Sequence, residues 1–141
     1  MQKGYSQLIQ SKYFITDFNS AIFDGPIRIY FTQAQESLAL KIYFHIQNNF
    51  TTQVKKLKDV SPNIPFSLFI LLYPQTESYQ ACFQSTDKMQ VVEWENDLVL
   101  GINENPEGID FELFNVKFEL AYSQWLEQNK KLKHAEINIQ N

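Results

Sequence analysis

The sequence predicts a single α+β domain, in which an N-terminal helix, a short connecting helix and a C-terminal helix pack on an antiparallel sheet of about six strands. Apolar residues repeat at every second position in several short stretches, and at every third or fourth position near both ends of the chain. A chain of 141 residues, 44% of them hydrophobic, has the size of one ordinary domain with its own core. Residues 1–141 are therefore assigned to one domain, whose tail is expected to fray from about residue 135.

The N-terminal third is predicted to contain a helix followed by a β-hairpin. Apolar side chains recur at helical intervals over residues 5–22, and Asp24-Gly25-Pro26 would end that helix. Apolar and polar residues then alternate through residues 27–47, which predicts strands at 27–32 and 38–46 joined by a loop near Gln35. In the register set by this loop, the aliphatic side chains of both strands share one face, and the polar side chains share the other.

The middle of the chain is predicted to hold a short helix and then a fully buried strand. Val54, Leu57 and Val60 would lie on one side of a helix within residues 48–60. Residues 66–73 are apolar at almost every position, which is typical of a central strand covered on both faces by its own chain or by a partner.

The remaining elements are predicted as three strands and a helix. Strands are expected at residues 79–85, 89–95 and 98–104, and their short connections favour antiparallel pairing. Residues 109–118 fit both a strand and a helix, because their apolar residues satisfy either period. A C-terminal helix is expected from about residue 112, where strong helix formers follow without a breaker.

Bulk composition narrows the classes of function. The net charge of −4 and the pI near 5.1 argue against nucleic-acid binding, which draws most of its affinity from clustered Lys and Arg. The longest apolar run, at residues 66–73, is too short to span a bilayer, so no membrane insertion is expected. A single cysteine, Cys82, and the lack of a recognisable signal peptide favour a cytoplasmic location.

No catalytic, metal-binding or cofactor-binding constellation is recognised in the sequence. His45 and His134 are far apart, and neither has the cysteine or carboxylate spacing of a zinc site. The four glycines are isolated, so no phosphate-binding loop is present. We therefore expect no metal and no cofactor.

The polar face of the predicted hairpin is the first candidate for a binding surface. It carries tyrosine, arginine and histidine, and tyrosine and arginine in particular are enriched at protein interfaces. The candidate partner-binding residues are Arg28, Tyr30, Lys41, Tyr43 and His45. This pattern favours a non-catalytic protein-interaction domain, such as an adaptor, a chaperone-like subunit or a regulatory subunit, that binds a protein partner or forms a homodimer.

The alternative is a small-molecule-binding protein or an enzyme with a pocket between the sheet and the C-terminal helix. Apolar walls with a few polar groups are typical of such pockets. The candidate lining residues are Tyr79, Trp94, Tyr122 and Trp125.

Overall fold

The computed structural model describes residues 8–60, 67–84, 87–103 and 109–140, with side chains described as far as Gln128 and at Lys130, except at Val60. The strands are β1 (Ser20–Asp24), β2 (Ile27–Phe31), β3 (Leu68–Tyr73), β4 (Met89–Trp94) and β5 (Asp97–Asn103). The helices are α1 (Glu36–Asn49), α2 (Thr51–Val60), α3 (Thr76–Phe83) and α4 (Phe111–Gln140), and a 3₁₀ turn (Gln33–Gln35) leads into α1.

The five strands form one mixed sheet in the order β1-β2-β3-β5-β4. The outer pairs β1/β2 and β4/β5 are antiparallel, whereas β2/β3 and β3/β5 are parallel. The α+β class is confirmed, but the prediction of a wholly antiparallel sheet of six strands is wrong. Helices α1 and α2 cross from β2 to β3, and α3 with β4 connects β3 to β5, so both connections have the length that parallel pairing requires.

Helices and loops cover the two faces of the sheet with separate hydrophobic cores. The first core lies against α1, α2 and α4, and includes Ile29, Ile42, Leu57, Ile70, Leu100 and Phe118. The second core lies against α3 and the N-terminal segment, and includes Leu8, Phe18, Tyr30, Phe69, Tyr73 and Tyr79. Every residue of β3 is buried, so the prediction of a central strand covered on both faces is confirmed, and its own chain supplies the cover.

Several other predicted elements are also present. Helix α2 and the hairpin of β4 and β5 form where the sequence predicted them. Residues 111–118 are helical, and Phe114 and Phe118 are buried in the first core, which decides between the two predicted structures for that segment. The α4 backbone is helical to Gln140, past residue 135, where fraying is expected from the sequence.

The predicted second strand of the hairpin, residues 38–46, is wrong: this segment lies in helix α1. Its core side is formed by Ala39, Ile42 and Ile46, which follow a helical spacing. Leu40 and Phe44, which the strand would have buried, are 40% and 55% exposed. Both periods fit the same apolar residues, and the good helix formers at residues 38–41, near the start of the segment, favour the helix.

The two other corrections concern the predicted N-terminal helix and the predicted strand at 79–85. Within residues 8–22, only Leu8 and Ile9 are helical, and Ser20–Asp24 instead forms β1. Gly25, at φ 61°, makes a tight turn that pairs β1 with β2, so the Asp-Gly-Pro sequence is a hairpin turn. Residues 79–83 belong to α3, which packs Tyr79 and Cys82 into the second core.

Candidate protein-binding groove

The structure does not bring the five predicted partner-binding residues together on one surface. Tyr30 is buried in the second core, and the Arg28 guanidinium lies 5.1 Å from the centre of the Phe23 ring on that same side of the sheet. Lys41, Tyr43 and His45 lie on α1, which covers the opposite side. The predicted hairpin surface therefore does not exist in the form that its register implied.

Tyr43 takes part in a polar cluster that joins three elements. Its hydroxyl and the Gln47 amide donate hydrogen bonds of 2.9 and 2.8 Å to Asp24 Oδ2, while Lys58 Nζ lies 2.9 Å from Asp24 Oδ1. Burial acts to raise the pKa of Asp24, but the hydrogen bonds from Lys58, Tyr43 and Gln47 outweigh it, so the pKa is lowered. The cluster holds an ionised carboxylate that ties β1 to α1 and α2.

His45 joins α1 to α4. Its Nε2 donates a hydrogen bond of 2.7 Å to Asn115 Oδ1, and its ring lies 4.4 Å from that of Phe111, measured between centroids. An amide and an aromatic ring hold the imidazole in place, which is a packing role for this histidine.

The four aromatic residues predicted to line a pocket are divided between the two cores. Tyr79 and Trp94 belong to the second core, whereas Tyr122 and Trp125 belong to the first, with the sheet between the two pairs. Burial raises the pKa of Tyr79 to about 12, as expected of a phenol packed inside a core. These four residues cannot line a common pocket.

Cys82 is also buried in the second core. Burial is the main cause that raises the pKa of its thiol, and its Sγ donates a hydrogen bond of 3.0 Å to the carbonyl of Lys12. A thiol with a raised pKa is a poor nucleophile at neutral pH. We therefore assign Cys82 to packing.

An open groove of about 500 Å³ lies between strand β4, at the edge of the sheet, and helix α4. It occupies the region where the sequence predicted a pocket, between the sheet and the C-terminal helix, but its lining residues are different. They are Val91, Val92 and Glu93 from β4, and Ser123, Gln124, Glu127 and Gln128 from α4. None of these side chains was singled out from the sequence as a site residue.

The β4 backbone presents hydrogen-bonding groups along this groove. The Asn103 N–H donates a hydrogen bond of 2.8 Å to the Lys88 carbonyl. Lys88 and Asn103 are therefore a hydrogen-bonded pair, and the register shows which β4 residues form hydrogen bonds with β5. Because bonded pairs alternate in an antiparallel ladder, the main-chain groups of Val91 and Glu93 point away from β5. Among the described residues, no strand pairs with that outer edge.

The side chain of Gln128 is the unusual group in the groove. It is only 9% exposed, and its carboxamide makes no hydrogen bond to another described residue. Its amide nitrogen and oxygen are not among the fully buried atoms without a partner, so the amide is open to the groove. A groove-lining amide in this state is suited to pair with a ligand.

The charge of the groove comes from carboxylates. Glu93 and Glu127 line it, and none of the lining residues that the structure describes is Lys or Arg. Lys130 Nζ approaches Glu127 at 3.7 Å, but both side chains are about two thirds or more exposed, so this ion pair is weak. The described lining of the groove therefore carries a net negative charge.

In residues 8–60, 67–84, 87–103 and 109–130, no three His, Cys, Asp or Glu side chains converge as a metal site would require. No helix in the described part of the chain has the length and apolar character needed to cross a bilayer.

Comparisons with protein-family models, with curated proteins and with solved structures found no match.

Proposed function

We propose that this chain is a non-catalytic protein-interaction domain, of the adaptor, chaperone-like or regulatory kind, which binds an extended segment of a partner as an added strand on β4. The observation that supports this is the outward-facing backbone of Val91 and Glu93 beside a groove walled by α4. Strand addition takes its affinity from main-chain hydrogen bonds, and its specificity from pockets that receive alternate side chains.

The position of the groove beside the sheet edge suits such a ligand. An added strand would extend the sheet and lie about 4.8 Å from β4, along the edge that the groove follows. Val91 and Glu93 share the sheet face covered by α4, because β4 pairs them with Leu100 and Leu98 of the first core. Every second side chain of the bound segment would then enter the groove, and the others would face solvent.

A small molecule is the second candidate ligand, because about 500 Å³ falls within the range of small-molecule sites. The two candidates differ in what they require of β4. A bound strand needs the main-chain N–H of Glu93, whereas a small molecule held by the side chains of α4 does not.

A proline substitution at position 93 tests the proposal. Glu93→Pro removes the outward N–H without removing a hydrogen bond to β5, and edge strands tolerate proline at such positions. Glu93→Ala is the matched control, because it removes the same side chain and keeps the N–H. Melting temperatures of both variants establish that the fold is retained.

The probes are random linear peptides displayed on phage and selected on the wild-type protein. We expect selected peptides to bind Glu93→Ala no more than a few-fold more weakly than wild type. Glu93→Pro should lose about a further tenfold or more relative to Glu93→Ala, since a buried peptide group is left unpaired. Equal affinity for the two variants would contradict strand addition. A small molecule that binds both variants alike, and displaces no peptide, would favour the second candidate.

A further inference from the structure

The groove combines a hydrogen-bonding edge, an unpaired amide and two carboxylates, which together describe the ligand more closely than strand addition alone. Glu93 lies on one wall and Glu127 on the other, with Gln128 next to Glu127 on α4. A segment lying between these walls would pass both carboxylates and the Gln128 carboxamide.

The Gln128 carboxamide has the hydrogen-bonding capacity of a peptide group. It offers a donor and an acceptor, as a main-chain amide does, so the two can pair reciprocally. Gln128 lines the groove and its amide is open to it, so a bound peptide group can reach that amide.

The carboxylates select the charge of the side chains that enter the groove. A neutral or acidic segment would bring no countercharge to Glu93 and Glu127, whereas Lys or Arg would be attracted to both walls. The net charge of −4 adds a long-range attraction for a cationic segment.

We propose that the groove binds an extended, basic segment of another protein, in which a Lys or Arg side chain lies between Glu93 and Glu127 and a main-chain amide pairs with Gln128. This inference rests on the proposed function, since it specifies the partner of the same site. It adds the charge of the segment and the role of Gln128.

Replacing charged residues in the peptide and in the groove tests whether the bound segment must be basic. Peptides selected on the wild-type protein are resynthesised with each Lys or Arg replaced by Gln or by Glu. We expect the selected peptides to be rich in Lys and Arg. Glu127→Gln should lower their affinity about two- to fivefold, and this loss should become smaller at high salt. Glu127→Lys should weaken the basic peptide further and improve binding of its Glu version.

Two substitutions on α4 test the role of Gln128. Gln128→Met keeps the size of the side chain and removes the amide, so peptide affinity should fall while the melting temperature of the free protein changes little. Gln124→Met is the control, because Gln124 also lines the groove but is less buried. A purely structural glutamine would instead lose stability when replaced and leave peptide affinity unchanged.

The outcomes separate this inference from the proposed function. Peptides that need the Glu93 N–H but bind equally well with neutral or acidic side chains would overturn the basic segment and leave strand addition standing. Unchanged affinity for Gln128→Met would overturn the role of that amide. Peptides insensitive to Glu93→Pro would overturn both the function and its extension.

Discussion

Single residues determine how closely the layers of this fold approach one another, and Gly101 on β5 is the clearest case. A Cβ atom built at Gly101 would lie 2.2 Å from Cζ of Phe83. The Phe83 ring cannot easily retreat, because its centroid lies 5.1 Å from those of Tyr13 and Tyr79, and 5.6 Å from that of Tyr73. The missing side chain therefore lets α3 pack directly on the sheet.

We expect Gly101→Ala to lower the free energy of unfolding by about 1–3 kcal/mol through overpacking. Chemical denaturation of Gly101→Ala, Phe83→Leu and the double variant measures the coupling between the two positions. The alanine should cost less when Leu replaces the ring, since the smaller side chain leaves room for the new methyl. An equal cost in both backgrounds would mean that the ring is not the obstacle.

The sequence contained part of this information. An isolated glycine within the strand predicted at 98–104 indicates a close approach by another group, but the approaching group cannot be identified without the fold. Gln128 is similar: it continues the helical spacing of Ala121 and Trp125 on the buried side of α4. That spacing could have predicted a buried glutamine, although not the groove that it lines.

At the scale of elements, prediction succeeded where the length of an apolar run or a single apolar side decides the structure. Strand β3 is apolar on both faces and α2 has one apolar side, and both are present as predicted. Residues 38–46 fit two periods, and the choice between them reversed which side chains are buried. The helix formers in that run and the lack of a tight-turn sequence near Gln35 were the signals that favoured the helix.

A second signal for α1 lies just before the helix. Thr32 and Gln35 form a capping box, in which Gln35 Oε1 accepts a hydrogen bond of 2.9 Å from the Thr32 N–H. We expect Gln35→Ala to lower the free energy of unfolding by about 1 kcal/mol, because the N–H of Thr32 loses its partner. Gln33→Ala is the control, since that side chain is exposed and its substitution should change stability little. Equal stability of the two variants in urea denaturation would contradict a capping role.

The architecture of the whole molecule was the least accessible to prediction, because strand order depends on contacts between distant parts of the chain. Short connections suggested antiparallel neighbours, yet β5 lies between β3 and β4 and pairs in parallel with β3. This order places β4 at the edge, where α4 crosses beside it. The candidate groove is thus a product of topology, and no local pattern in β4 or α4 indicates it.

The same topology predicts how amide hydrogen exchange is distributed over the free and bound molecule. Amides of β3, buried between two cores, should exchange most slowly, because their exposure requires opening of both layers. Within β4, the Val91 and Glu93 amides should exchange fast while Val92, which faces β5, stays protected. Adding a selected peptide should slow exchange at Val91 and Glu93 and leave Val92 unchanged, as measured by residue-resolved NMR. Val91 and Glu93 amides already as protected as Val92 in the free protein would mean that the β4 edge is covered, and strand addition at this groove would be excluded.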